Sequence, residues 1–434
     1  MRSRWHAVVA LTILLLGPWA STVSAGKMAS DRAILLAQRM LQRNPFEAGA
    51  YYRLGDAYIE KARETGDVAY FDLAERALRK SAELAPRNSG AVRHLAYVLY
   101  SRHDFQQAAE QAARAIELDP ADSHAYGILG DAHLEVGRYA EAQEAYQRMI
   151  RLQEDLYSLS RLAGLKTIRG DTRGAVQDLE RAIGMGRAVD LPEESLAWVQ
   201  WQLGTDQFAL GNLGEAEARH LDALTTYPNY YRALAGLGQV RAAQERYEEA
   251  IELYRRAVAI LPQPDYIAAL GDIFSRIGRP VEAKRQYDLV EYIGRLSVLN
   301  RVLYNRELAL FYADHEVKLP EALALARKEL EYRRDVYAYD VLAWALHKNG
   351  HDQEALAAIT EALKLGTKDA RLFFHAGMIY NRMGDAAQAA AYLQRALATN
   401  PRFHIVFGDT AARTLAALES RPEASVAQEQ GHGH

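Results

Sequence analysis

Apolar and small residues recur along the chain at spacings of three, one and three, as at Tyr126, Leu129, Gly130 and His133. That spacing puts them on one face of a helix. Gly137 ends the stretch, because glycine accepts the left-handed conformation of a helix C-cap. Tyr139 opens a second stretch whose Ala142, Tyr146 and Met149 again share one face. The whole pattern, Asp122 to Glu154, returns along almost the entire sequence. Aligned on Ala142, the markers are Ala33, Ala74, Ala108, Ala142, Ala175, Ala216, Ala250, Ala283, Ala322, Ala355 and Ala389. Neighbouring markers are 33 or 34 residues apart at seven of ten steps, and inserted residues lengthen the other three. Twelve positions before the marker stand small residues such as Ala96, Gly130, Gly204, Gly238, Gly271 and Gly377. Twelve positions after it stand Pro45, Pro86, Pro120, Pro228, Pro262 and Pro401, which stop the second helix. Tyr126, Tyr146, Tyr254 and Tyr287 fall on the buried faces and read as packing.

Each unit is therefore two amphipathic helices, and none can bury its face without stacking on a neighbour. In order, the units match the W/Y, L-G, Y, G, Y/F, A, Y/F, A and P positions of the tetratricopeptide repeat. The chain resembles that family from about Ala29 to Pro401, over ten units and a leading half-unit. The resemblance implies an all-α, right-handed superhelical solenoid of stacked helix-turn-helix repeats with capping helices. It also implies a concave groove that holds a segment of a partner.

The expected organisation is a half-unit over 29–47, repeats one to four over 48–188, and repeats five to ten over 193–403. A capping helix over 404–419 and a disordered polar tail over 420–434 follow. Seven extra residues around Lys61 to Tyr70 predict a lengthened turn inside the first unit. Gly184-Met185-Gly186 to Glu193 predicts a loose joint, the best internal hinge. A spacer is expected at Gly294 to Asn300.

The first 25 residues predict a cleaved export signal. Arg2 and Arg4 precede the short apolar run Ala7 to Leu16, Pro18 breaks it, and Val23-Ser24-Ala25 offers small residues for cleavage. The run is shorter than the roughly 20 residues of a membrane span. A soluble periplasmic or secreted protein with no stable membrane span after cleavage is expected. The 434 residues contain no cysteine, which removes disulfides, thiol catalysis and a lipidated cysteine. A net charge of −4 gives no basic face for nucleic acid.

Enzyme motifs are absent: no phosphate-binding loop, nucleophile elbow or H-E-x-x-H occurs. Gly236-Leu237-Gly238 starts a glycine-rich match that Arg241 breaks inside a predicted helix. Neither catalysis nor a cofactor nor a metal centre is expected. His347 and His351, four apart, read as surface histidines, and Asp314-His315-Glu316 reads as a solvated turn. The terminal His432-Gly433-His434 offers a weaker, metal-handling reading.

Recognition is sought on the stripe that the packing faces leave over. If positions four, seven, eight and eleven of each unit face the stack, positions two, five, nine and twelve form a second stripe. In similar proteins that stripe lines the groove. Here it carries the partner-binding candidates Tyr52, Arg93, Tyr97, Tyr157, Trp198, Trp201, Tyr337, Trp344, Arg371 and Phe374. Aromatics with arginine are what binding hot spots favour. The lysine and asparagine of the family's carboxylate-capturing members are missing: Tyr52/Asp56, Arg93/Tyr97 and Trp201/Thr205 stand in those places. The expected function is a non-catalytic scaffold that binds a protein or peptide. A glycan-binding module assisting polysaccharide export is the alternative, since aromatic stripes also stack on sugars.

Overall fold

The computed structural model describes residues 24–300 and 304–420. Among them it contains 22 helices and no strand. The export signal lies outside these residues apart from Ser24 and Ala25, which belong to the first helix. The tail lies outside apart from Ser420, so His432 and His434 lie outside too.

The chain divides into two compact units, one ending at Pro86 and the other starting at Arg87. The first holds α1 (Ser24–Arg43), α2 (Ala48–Thr65) and α3 (Ala69–Leu84). Gly55 lets α3 approach, since a Cβ there would lie 2.6 Å from Leu78 Cγ. Buried Ser81 donates to the Ala48 carbonyl at 2.8 Å, and Lys61 pairs with Asp31 at 2.7 Å. The extra residues of this repeat do not form a longer turn. They extend α2 to Thr65, where Gly66 caps it in the left-handed conformation.

The second unit runs as α4 (Ser89–Ser101), α5 (Phe105–Leu118), α6 (Ser123–Glu135), α7 (Tyr139–Leu152), α8 (Leu156–Ile168) and α9 (Thr172–Arg187). Next come α10 (Glu193–Ala209), α11 (Leu213–Thr226), α12 (Tyr231–Ala243), α13 (Tyr247–Ile260), α14 (Pro264–Arg276) and α15 (Pro280–Asn300). The last are α16 (Asn305–Asp314), α17 (Leu319–Tyr332), α18 (Val336–Lys348), α19 (Asp352–Leu363), α20 (Ala370–Arg382), α21 (Ala386–Thr399) and α22 (Phe407–Glu419). Helix starts follow short acidic or amide caps: Asn88, Asp104, Asp122, Asp155, Asp171, Asp335, Asp369 and Asp385 each accept from a first-turn amide. The expected spacer from Gly294 is the helical end of α15.

Even-numbered helices open the repeats and odd-numbered ones close them. Neighbouring even-numbered helices pack together at every step from α4 to α20, and α12 and α14, whose backbones approach less closely, still share the core of Leu234, Leu270 and Phe274. The odd-numbered helices do not approach each other in that way. The stack therefore bends with its even-numbered helices on the inside. The joint after α9 is packed: the helix continues through Gly184 and Gly186, and Leu156, Ile183, Val199 and Leu203 share one core.

The bend brings distant repeats together along a seam. The Arg334 amide donates to the Glu135 carbonyl at 2.8 Å, and the Val336 amide to the Tyr139 hydroxyl at 2.9 Å. One repeat further on, the Thr367 hydroxyl donates to the Ile168 carbonyl. One further again, Asn400 Nδ2 donates to the Phe208 carbonyl at 2.7 Å. The turns after α6, α8 and α10 thus dock on the linkers after α17, α19 and α21. Gly137 and Gly170 are needed twice over in these turns. Both are left-handed, at φ 76° and 74°, and a Cβ on either would strike the backbone carbonyl of Arg334 or Gly366. Where the turn residue is instead His103 or Glu245, also at positive φ, its side chain joins the seam. His103 meets Arg333 at 3.1 Å and Glu245 meets Arg402 at 2.9 Å.

Candidate functional site: an aromatic inner wall

Ten residues were expected to line the groove, and the fold sorts them into three groups. Tyr52 lies on α2 in the first unit and is half-buried. Trp344 and Phe374 are internal, each 1% exposed, so neither belongs to an open groove. The Trp344 indole N–H donates to Asp314 at 2.7 Å, and its ring stacks on His375 with centroids 4.2 Å apart. Phe374 stacks on Phe407 at 5.0 Å and meets Phe403 at 5.6 Å. The physical reason is that the chain returns after α21 and lays Phe403 and Phe407 on the inner side of α20. Arg371 is held by Asp314 at 3.4 Å in the same region.

The other candidates are half-buried on even-numbered helices. Arg93 pairs with Asp122 at 3.0 Å, tying α4 to the cap of α6. Tyr97 packs on the core of Ala96, Ala112 and Ile128. Tyr157 donates to Ser195 at 3.1 Å and meets His124 edge-on. Tyr337 packs beside Val336 and Tyr139 near the seam.

Trp198 and Trp201 come together with centroids 6.2 Å apart. The Arg232 guanidinium covers Trp201 at 5.1 Å and Tyr231 at 5.3 Å. Tyr231 continues to Tyr266 at 6.4 Å. Five side chains from three successive repeats thus form a continuous ladder across α10, α12 and α14. It ends at two carboxylates, Asp265 and Glu307, with Tyr304 within electrostatic reach of both. Asp265 is exposed at the start of α14, yet partial desolvation by the surrounding protein, with Glu307 nearby, pushes its carboxyl up to about 7. Burial likewise raises Glu307, against the pull of Arg306 and Arg333. Asp206, which accepts from Thr167 and Gln202, is pushed by burial up to about 6.

Sequence reasoning did not single out Tyr231, Tyr266, Tyr304, Asp265 or Glu307. Asp265 was within reach, since it holds position two of the seventh repeat, the place Trp198 and Arg232 hold in theirs. Glu307 and Tyr231 lie off that stripe, and no register argument points to them.

The expectation of a solvated turn at Asp314-His315-Glu316 is corrected. Asp314 serves Trp344 and Arg371, while His315 Nε2 lies 2.8 Å from Asp272 and Nδ1 lies 2.8 Å from the Phe311 carbonyl. Both partners are acceptors, so both ring nitrogens must donate and the imidazole is a cation. Burial alone would lower its pKa, but Asp272 and the Phe311 carbonyl outweigh that and raise it. A raised histidine stabilises fully below its unfolded value of about 6.5 and loses that contribution as pH rises through the folded value. The stability deficit of His315→Gln should therefore be greatest below about pH 6.5 and shrink at higher pH, as paired denaturation curves would show. A deficit that grows with pH would refute the charged pair. The histidines at metal-like spacing are engaged separately, His347 with Asp352 and His351 with Glu354.

A tetratricopeptide repeat family model matches residues 93–156 and 202–263, and a second matches 370–403. Over 349 residues the chain is 20% identical to a TPR repeat-containing protein of Methanocaldococcus jannaschii, covering 79% of this chain and 56% of that one. Over 116 residues it is 31% identical to the cytochrome c-type biogenesis protein CycH of Pseudomonas aeruginosa, covering 26% of this chain and 27% of that one. The chain thus spans about half of the first relative and about a quarter of the second. Yeast Tom70 is a structural neighbour with a TM-score of 0.39 at 13% identity, over 94% of this chain and 96% of that one. No helix among the described residues is long and apolar enough to cross a membrane. The chain carries tetratricopeptide repeats, and its fold is an all-α repeat solenoid.

Proposed function

We propose that the protein is an exported, non-catalytic scaffold that holds a segment of another protein on the inner wall of α10, α12 and α14. The observation that carries this reading is the ladder Trp198, Trp201, Arg232, Tyr231 and Tyr266. These aromatics and arginine remain partly accessible, whereas Trp344 and Phe374 are spent on the protein's own interior. Rigid aromatics with an arginine are the composition of energetic centres in protein interfaces. Export is supported by Arg2 and Arg4, the apolar run, the small residues to Ala25, and the absence of cysteine. The name of the CycH relative, a biogenesis protein, agrees with a role in assembling something else.

Trp201→Ala should keep the melting midpoint within a few degrees and weaken capture of partner proteins about tenfold or more, the loss expected of a hot-spot residue. Immobilised wild-type and variant protein challenged with the same envelope extract would measure it. Equal retention by the two would contradict the site. Amino-terminal sequencing of protein recovered from the periplasm tests export, and an intact Met1 there would contradict cleavage.

A further inference from the structure

Two histidines bracket the seam, and each holds a ring nitrogen that is obliged to accept. At one end, in the turn after α4, His103 Nε2 lies 3.1 Å from a terminal nitrogen of Arg333. A guanidinium has donors only, so that ring nitrogen carries no proton. At the other end, His404 Nδ1 accepts the backbone amides of Val406 and Phe407 at 3.2 and 3.4 Å, so it carries none either. Both histidines belong to segments that close the bend. His103 and Arg333 are 230 residues apart, and His404 follows Asn400 and Arg402, which meet Phe208 and Glu245 across the seam.

The carboxylates around each ring are engaged elsewhere. Beside His103, Glu135 and Glu329 both pair with Arg333, and Glu135 also accepts from the Tyr100 hydroxyl. Asp335 pairs with Arg306, Asp104 caps α5, and the His103 ring stacks on Phe105 at 5.6 Å. Beside His404, Asp272 stands 3.8 Å from Nε2 but accepts from Tyr287 at 2.9 Å and from the cationic His315 at 2.8 Å. Asp314 serves Trp344 and Arg371, and the His404 ring stacks on Phe407 at 4.5 Å. Burial, with Arg333 and Arg306, lowers His103 to about 3. Burial, with Arg371, lowers His404 to about 4, although Asp272 and Asp314 oppose it.

We propose that the seam is an acid-opened latch, in which protonation of His103 and His404 sets donor against donor at both ends and parts the turns from the linkers. A protonated His103 faces the Arg333 guanidinium as a second cation. A protonated His404 turns an N–H against the two amides that open α22, on the linker that carries Asn400 and Arg402. Opening exposes both rings to water, where a histidine takes its proton at about 6.5. The closed form therefore keeps its full stability above about pH 6.5 and loses it as pH falls below that value. Glu135 and His315, both raised, act in the opposite sense. The bend that the latch holds includes α10, α12 and α14, so opening respaces the wall assigned to a partner above, but the latch does not depend on that assignment.

Hydrogen exchange of the full chain at about pH 7.5 and about pH 5 tests the latch, with each rate divided by the intrinsic rate at that pH. The reporting amides are Arg334 and Val336, which donate across the seam to Glu135 and Tyr139. The comparison is His103→Gln with His404→Asn, whose side-chain oxygens keep both acceptors and do not titrate. Between the two pH values, protection of the wild-type seam amides should fall at least about tenfold, the limit being about thirtyfold for one histidine denied its proton at pH 5. The double variant should lose less than about threefold. At the lower pH the wild-type seam amides should also exchange faster than the buried amides of α9, since a latch opens without unfolding the repeats. Unchanged seam protection in the wild type would overturn the proposal, as would an equal fall in the double variant. Seam amides that match those of α9 at both pH values would overturn it too, because the seam would then part only when the unit unfolds.

Discussion

Arg333→Ala should destabilise the protein by about 3–5 kcal/mol, the range for removing one partner of a buried charge cluster. Arg333 leaves α17 and reaches three places at once. Its Nε donates to Glu135 at 2.7 Å and one terminal nitrogen to Glu329 at 3.1 Å. The other terminal nitrogen contacts His103 at 3.1 Å, and the guanidinium lies over Phe105 at 5.3 Å. Its side chain is 15% exposed, with Glu135 at 16% and Glu329 at 3%, so solvent screens the cluster little. Removing the arginine leaves Glu135, whose carboxyl burial already pushes upward, with the neutral Tyr100 hydroxyl at 3.1 Å and no ion pair. Glu329 would keep only Asn305 at 3.3 Å and Arg306 at 3.9 Å. Pairing Arg333→Met with Glu135→Gln should recover part of the loss, because both charges then go together. A loss under about 1 kcal/mol in urea denaturation would mean that the cluster behaves as an ordinary surface pair.

Trp344→Ala should cost a similar 3–5 kcal/mol, as large aromatic truncations in cores do. The indole is enclosed by Phe374, His375 and Phe407, and its N–H is the closest donor to Asp314. The truncation opens a cavity and removes a hydrogen bond from a carboxylate that then depends on Arg371 at 3.4 Å. At a temperature where the variant remains folded, it should still capture partner proteins from the envelope extract as the wild type does. Trp201→Ala should do the reverse, leaving stability nearly unchanged while binding falls. Two tryptophans placed on one stripe by sequence therefore separate into a core residue and a half-buried one on the inner wall. Lost binding by folded Trp344→Ala would return that residue to the groove.

The repeat was legible because its signals are local. The alanine register, the turn glycines and the proline stops each act within one unit, and two helices per unit follow from them. The seam was not legible for the same reason. It joins Tyr139 to Val336, Ile168 to Thr367 and Phe208 to Asn400, separations of 197, 199 and 192 residues. No spacing within a repeat states how far each unit rotates on the next, and that rotation decides which repeats meet. Burial of Trp344 and Phe374 has a second non-local cause, the return of Phe403 and Phe407. The stripe counts every repeat as equivalent and so cannot know that the last inner faces are filled by the chain itself. Conversely, Asp265 reads in sequence as an acid in a first helical turn, a common helix-dipole complement. Only the fold sets it near Glu307, which helps to raise its carboxyl.

The second unit closes along the seam, and a distance across the seam is the direct test. The native chain has no cysteine, so Arg173→Cys with Lys368→Cys can carry two spin labels. Both positions are exposed, and the neighbouring Gly170 lies against Lys368, a Cβ there falling 3.7 Å from Lys368 Cγ. Arg173 is within one helical turn of Gly170, so the seam predicts a single short distance, under about 20 Å. An open stack would hold the two labels more than about 40 Å apart, given helices packed at 8–10 Å through five repeats. That longer distance in the unbound protein would contradict the closed solenoid.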